Sequence, residues 1–417
     1  MNFRESGPGS MIRQIHWAWL IFAASFYTTF TYFSIRMGYS ILMPEMIVTL
    51  KITKAQAGAI ASAFFISYTL FCPLLGYLVD RVSARKLLTL FSLILAAGTF
   101  LMGKPVSLFQ ACLFFAIVGV GSSAMWVPVA TLVQRWFGVK RRGMVIGILG
   151  TSPAIGYAAM GLIFPPLVAQ YGWRACWFLL SVLALILVPV HAILVRTRPE
   201  DMNLRPWGDE PLPPLESHPE KTGRKAGYRD LMKIRNLWLG GLSYFFIAFS
   251  AYIFTLFLVT YGVMELKLPF ASASKLASAM ALSGILGALV LPAVSDSIGR
   301  KKSLILINLC FSFAILLVIW AGSRWAALLA AVCFLGFFYA AIWPLYAAAA
   351  ADFFPPEATG SVLGFWTVFY GTALIVAPAL AGYIADLTGT FISPFLIASA
   401  AGGLSTLFLA GIKRSAP

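Results

Sequence analysis

Twelve long apolar stretches, separated by short loops that carry Lys and Arg, dictate what this chain folds into. A helix needs about 20 consecutive apolar residues to cross a hydrocarbon slab of about 30 Å. Apolar residues fill 60% of the 417 positions and charged ones 11%, more oil than a water-soluble fold of this size has interior to hide. Inside a bilayer each backbone N–H and C=O must be satisfied within the segment, so the stretches are helices. The expected fold is an all-α membrane protein of twelve transmembrane helices. Its function lies in what it moves or senses across the barrier.

The formal charge of +16 would suggest a nucleic-acid partner in a soluble protein, but its placement excludes one. Of the 31 Lys and Arg, 23 fall on the side holding the N-terminus, the even-numbered loops and the C-terminus; seven lie opposite and Arg36 is within a span. By the positive-inside rule both termini are cytoplasmic. The first fifteen residues, with Arg4, Glu5 and Arg13, lack a cleavable signal pattern, so the first span stays in the mature protein. A cytoplasmic membrane of the bacterial inner-membrane kind is the expected location. Cys72, Cys112, Cys176, Cys310 and Cys333 all sit in apolar stretches and read as packing residues, with neither disulfides nor a metal cluster implied. No catalytic constellation and no phosphate-cradling Gly-Lys-Ser loop occur, so neither an enzyme nor a cofactor is expected.

A polar stretch from Arg196 to Arg235, carrying Pro211, Pro213, Pro214 and Pro219, separates two sets of six spans. The domains expected are therefore 1–195, a cytoplasmic linker 196–235, and 236–417. The halves repeat: Gly143 matches Gly360, Gly147 matches Gly364, Gly172 matches Gly389 and Phe178 matches Phe395, all at a shift of 217 residues. A constant offset of this kind describes two pseudo-symmetric six-helix bundles with a site near the midplane between them.

The loop after span two reads Gly76-Tyr-Leu78-Val-Asp80-Arg81-Val-Ser-Ala-Arg85-Lys86, and its counterpart reads Asp296-Ser-Ile-Gly299-Arg300-Lys301-Lys302. This pair resembles the cytoplasmic loop signature of the major facilitator superfamily, with Ser83 where a glycine is usual and Pro292 where the first copy has Gly76. The resemblance covers essentially the whole chain and implies the major facilitator fold. It also implies a gate, in which Asp80 and Asp296 latch onto Arg81, Arg85 and Arg300 and hold the cytoplasmic side closed in the outward-open state. The competing reading is that these cations merely set topology.

Arg36 is the most informative single residue. An Arg at the bilayer centre costs about 2.5–3.5 kcal/mol on insertion scales, so such residues usually face a cavity. Tyr32, Arg36 and Ser40 share one helix face, with Tyr39 beside them. A guanidinium fork among hydroxyls suits a carboxylate. The pattern Tyr32-x-x-x-Arg36 followed by Pro44 resembles the organic-anion branch of the superfamily, including glycerol-3-phosphate transporters, in which this arginine contacts the anionic group. The linker opening Arg198-Pro-Glu200-Asp201 is similar to that of monocarboxylate and oxalate/formate-type members. The phosphate-ester carriers add an arginine from span seven, where this chain has Phe249-Ser250-Ala251-Tyr252-Ile-Phe-Thr255, so a singly charged carboxylate is favoured. Against this stands the length of the first apolar run, which leaves room for Arg36 to snorkel to an interface.

In this fold the first and fourth helices of each half line the cavity, which nominates Trp126 and, on one face of span ten, Tyr339, Trp343 and Tyr346, together with Tyr252. Gly150, Pro153 and Gly156 in span five form the expected hinge, a partial match to an antiporter motif. All 15 acids lie in loops or at span ends, so no buried carboxylate serves as a proton relay, and His191 reads as a bystander. The expected activity is secondary active transport of a small organic anion by a monomer in the lipid bilayer, with a proton or a counter-anion as the coupling species. Efflux of hydrophobic drugs and a non-transporting sensor are the alternatives.

Overall fold

The computed structural model describes residues 16–79, 81–208, 232–355 and 358–412; Asp80 and the linker prolines 211, 213, 214 and 219 lie outside them. Twelve helical segments long and apolar enough to span a membrane are present, and no strand occurs among the described residues. The first six spans comprise α1 (Trp17–Leu50), α2 (Lys54–Val79), α3 (Ala84–Leu101), α4 (Leu108–Ser122) continued by α5 (Val127–Trp136), α6 (Val139–Leu149) continued by α7 (Ser152–Tyr171), and α8 (Trp173–Leu194). The second six are α9 (Arg235–Met264), α10 (Phe270–Ile298), α11 (Arg300–Ala321), α12 (Trp325–Phe353), α13 (Thr359–Thr388) and α14 (Ile392–Ala410).

Two spans are broken where the sequence places proline just downstream. Span four interrupts at Ser123–Trp126 before Pro128, and span five at Gly150–Thr151 before Pro153. A proline in the first helical turn gives up no intrahelical hydrogen bond, so a new helix starts there at little cost. Pro44 does not end the first span but lies inside α1. The helix runs on to Leu50 and stops where Lys51 turns left-handed at φ 53°. Neighbouring helices bury Met43, Pro44 and Met46, and that packing outweighs the one backbone bond proline removes.

Helices pack mainly within each set: α2 on α4 and α3 on α8 in the first, α10 on α12 and α9 on α14 in the second. The sets meet along α2–α13, α7–α10 and α1–α9. With twelve spans the start of α1 and the end of α14 lie on one face, the termini face. On the opposite face the sets are locked together. The Asp386 carboxylate accepts from the backbone N–H groups of Lys54 (3.1 Å) and Ala55 (2.8 Å), the first residues of α2. Lys54 Nζ donates back to the Ala385 carbonyl at 3.2 Å. Deeper in, Ser62 donates to the Ile375 carbonyl (2.7 Å) and Ser278 to the Ala158 carbonyl (2.8 Å). A methyl group at Gly58 would collide with the Pro378 carbonyl, and one at Gly161 with Ser278, so glycine is what lets these backbones touch.

On the termini face the repeat-related pairs Gly143/Gly360 and Gly147/Gly364 have no atom within 4 Å of where a Cβ would stand. The sets are bonded to each other on the face opposite the termini. The linker does not leave as a free chain: Trp207 N–H donates to the Trp136 carbonyl (2.9 Å), and its ring packs edge-on to Trp19 at 5.0 Å.

Candidate functional site

Arg36 lies near the middle of the 34-residue α1, and its guanidinium turns toward the interior. Nη1 donates to Tyr32 Oη at 3.0 Å, one helical turn back; Nη2 donates to Tyr370 Oη on α13 at 3.3 Å. Its Cζ stands 5.5 Å from the Phe33 ring centre, 5.0 Å from Phe65 and 5.2 Å from Tyr252, a cage of cation–π faces from α1, α2 and α9. Phe65, Tyr252 and Tyr370 sit near the middles of their own spans, so the charge is held at mid-depth and does not snorkel. Three polar groups at this site are buried without a partner: Arg36 Nε, Tyr252 Oη and Thr255 Oγ1. All three residues border a residual cavity of about 20 Å³, room for no more than a water molecule.

Of the residues nominated from sequence, Arg36, Tyr32 and Tyr252 come together at this cage. Tyr39 and Ser40 reach the cavity wall, but their hydroxyls are spent elsewhere. Tyr39 Oη donates to the Ala57 carbonyl (2.7 Å) and Ser40 Oγ to the Met37 carbonyl (2.7 Å). Trp126 stands at the break in span four, edge-on to Phe33 at 6.0 Å. Tyr339 and Trp343 meet edge to face at 5.9 Å. Tyr346 is buried behind them, its hydroxyl held 2.5 Å from Ser243 Oγ and accepting from Asn308 Nδ2 at 3.0 Å.

Sequence reasoning missed Tyr370, Tyr244 and Phe65. Tyr244 stacks on Tyr346 (4.6 Å) and on Tyr370 (5.3 Å), so three tyrosine rings form one continuous wall. The only advance signal for Tyr370 was a hydroxyl-bearing ring in the middle of an apolar span.

At the loop signatures, Arg300 pairs with Asp296 and with Asp352 on α12 at 3.8 Å, all within the second set. Arg81 borders a cleft of about 330 Å³ on the termini face, and Arg85 is exposed in the first turn of α3. Gly150 falls in the break of span five and Pro153 opens the helix after it. Gly156 lies within regular α7, where a Cβ would come 2.7 Å from Ser34 Oγ, so its role is close approach to α1. His191 is enclosed, with Nε2 2.8 Å from Thr28 Oγ1 and Nδ1 2.8 Å from Ser92 Oγ, bracing spans one, three and six. Among the described residues no three His, Cys, Asp or Glu converge on a metal position.

Two sets of membrane helices, bonded to each other on one face and holding a guanidinium between them at mid-depth, define a polytopic carrier-type membrane protein. The sequence model described as the Major Facilitator Superfamily matches residues 25–297 and 265–417, and the chain belongs to that superfamily. It is similar to a hexuronate transporter of Bacillus subtilis, 27% identical over 91% of this chain and 90% of the relative. It is equally similar, at 27%, to the membrane sensor protein UhpC of Salmonella typhimurium, over 96% of this chain and 91% of that one. A D-xylose–proton symporter superposes with a TM-score of 0.77 over 95% of this chain and 98% of that one, at 13% identity, which shows the shared fold alone.

Proposed function

We propose that this protein is a secondary active transporter that moves a small organic anion, a carboxylate, across the cytoplasmic membrane by alternating access. The observation that carries this reading is Arg36: a guanidinium at mid-depth between the two sets, with Nε still without a partner. An uncompensated charge in a low-dielectric site favours a ligand of opposite sign, and the fork geometry favours a carboxylate. The name of the hexuronate transporter, a carrier of sugar acids, supports an anionic cargo.

In this reading residues 1–195 and 236–417 rock as two bundles about the site, tethered by the linker 196–235, with both termini cytoplasmic. Asp80, Arg81, Arg85, Asp296 and Arg300 form the cytoplasmic latch, and the break at Gly150 and Pro153 absorbs bending. A proton or a counter-anion balances the charge.

The test is counterflow in reconstituted liposomes. Arg36→Ala abolishes carboxylate exchange and Arg36→Lys loses most of it; retention of exchange by Arg36→Ala overturns the assignment. The likeness to a membrane sensor protein gives a second reading, in which the chain binds its ligand without moving it. That reading predicts ligand binding with no counterflow at all.

A further inference from the structure

We infer that the Arg36 site takes a flat, hydroxyl-poor monocarboxylate of the benzoate type, and that it discriminates against sugar acids. This deepens the anion-carrier reading and rests on it.

Three observations converge. First, charge: the other cations within the helical spans, Lys54, Arg135 and Lys275 among them, lie within about two turns of a helix end, so Arg36 alone faces a ligand at mid-depth. One negative charge neutralises the site. A second would be buried without a partner, which a low-dielectric interior penalises heavily.

Second, hydrogen-bonding capacity. A sugar acid brings several hydroxyls, each needing a donor and an acceptor when it leaves water. Carboxamides supply both most fully, and free Ser, Thr or Tyr hydroxyls can also serve. In the middle of the spans this sequence offers Asn308 alone as a carboxamide; its other Asn, Gln, Asp and Glu residues lie in loops or near helix ends. Its amide nitrogen is committed, with Nδ2 donating to Tyr346 Oη at 3.0 Å and Ser405 Oγ at 2.9 Å, and only Oδ1 is left unpaired, behind the Tyr346 ring. What remains around the cavity beside Arg36 is the unpartnered Nε and the unpartnered hydroxyls of Tyr252 and Thr255: two donors for the two oxygens of one carboxylate, and one hydroxyl to spare.

Third, shape. Tyr370 joins the charge to a wall: its hydroxyl accepts from Arg36, while its ring ends the stack with Tyr244 and Tyr346, inclined by 24° and 22° at successive contacts. Trp343 closes the corner edge-on, 5.1 Å from Tyr370. Asn308 braces the far end of the wall through Tyr346. Across the site, Tyr32 and Tyr68 stand parallel within 2°. Flat aromatic walls that begin where the guanidinium ends fit a planar ring attached directly to a carboxylate. Sugars also stack on aromatic faces, but once a carboxylate has taken Arg36 Nε and the Tyr252 hydroxyl, their rim of hydroxyls finds only the Thr255 hydroxyl free at this cavity.

The experiment measures ligand-induced thermal shifts and competition on the purified full chain, with benzoate, glucuronate, acetate and neutral benzyl alcohol as probes, since a ligand of the native state raises apparent stability by mass action. Benzoate is expected to bind at least about ten-fold tighter than glucuronate, the scale set by a few unpaired buried hydroxyls. Trp343→Ala weakens benzoate about ten-fold while leaving acetate unchanged, and Trp343→Phe, which keeps a ring, restores most of the loss. Glucuronate matching or exceeding benzoate, or no response to benzoate at all, overturns the substrate class. If that glucuronate response still disappears in Arg36→Ala, the anion-carrier reading survives. Benzyl alcohol binding as well as benzoate, with Arg36→Ala indifferent to both, overturns the carrier reading itself.

Discussion

Arg36 and Tyr252 face each other with complementary faults. The guanidinium keeps two terminal nitrogens bonded to tyrosines from different sets while its Nε is unpaired, and the Tyr252 hydroxyl beside it is unpaired as well. A buried polar group without a partner is held at a cost of about 1–3 kcal/mol, so the empty site stores a preference for a ligand that supplies acceptors. Two substitutions therefore differ in sign. Tyr370→Phe strands Arg36 Nη2 and lowers the thermal stability of the empty protein by about 1–3 kcal/mol. Tyr252→Phe removes an unsatisfied hydroxyl, so the empty protein is as stable as before or slightly more so, while carboxylate affinity falls. Denaturation followed with and without ligand checks both; a destabilised Tyr252→Phe protein counts against the unpaired hydroxyl. Arg36 was readable in the sequence because a charge in an apolar span is conspicuous. Tyr370 was not, because an aromatic ring in such a span is ordinary until its neighbour is known.

At the scale of helices, the closed face depends on a carboxylate from one set seated on the first turn of a helix from the other. The leading N–H groups of α2 have no partner within their own helix, and Asp386 accepts from two of them. Removing a helix cap of this kind costs about 0.5–2 kcal/mol. Because the bond crosses between sets, its loss falls on the closed arrangement alone. Asp386→Ala is expected to shift the population toward opening on that face by about five-fold per kcal/mol lost. Spin-label distances between the Lys54 end of α2 and the Asp386 end of α13 report this directly; an unchanged distribution removes the latch. The sequence showed Asp386 only as an acid at a span end. Its partner is 332 residues away in the chain.

For the molecule as a whole, motion between the sets is the property on which transport depends. Thr69 on α2 and Gly371 on α13 come close enough that a Cβ at Gly371 would lie 3.4 Å from the Thr69 side chain. Cysteines at both positions, with Cys72 replaced by Ser, are placed for a disulfide. Oxidation is expected to arrest counterflow and reductant to restore it; transport continuing through the cross-linked protein would exclude rocking about this contact. Hydropathy and the 217-residue repeat determined the twelve spans and their division into two sets, because lipid leaves a backbone little choice but helix and each span reports its own composition. The sequence also marked the guanidinium, since its cost in oil needs no neighbour to be recognised. Which face is shut, which hydroxyls remain unpaired and which rings build the wall were decided only by tertiary packing. Those properties belong to pairs of residues hundreds of positions apart, and no local pattern in either member records the meeting.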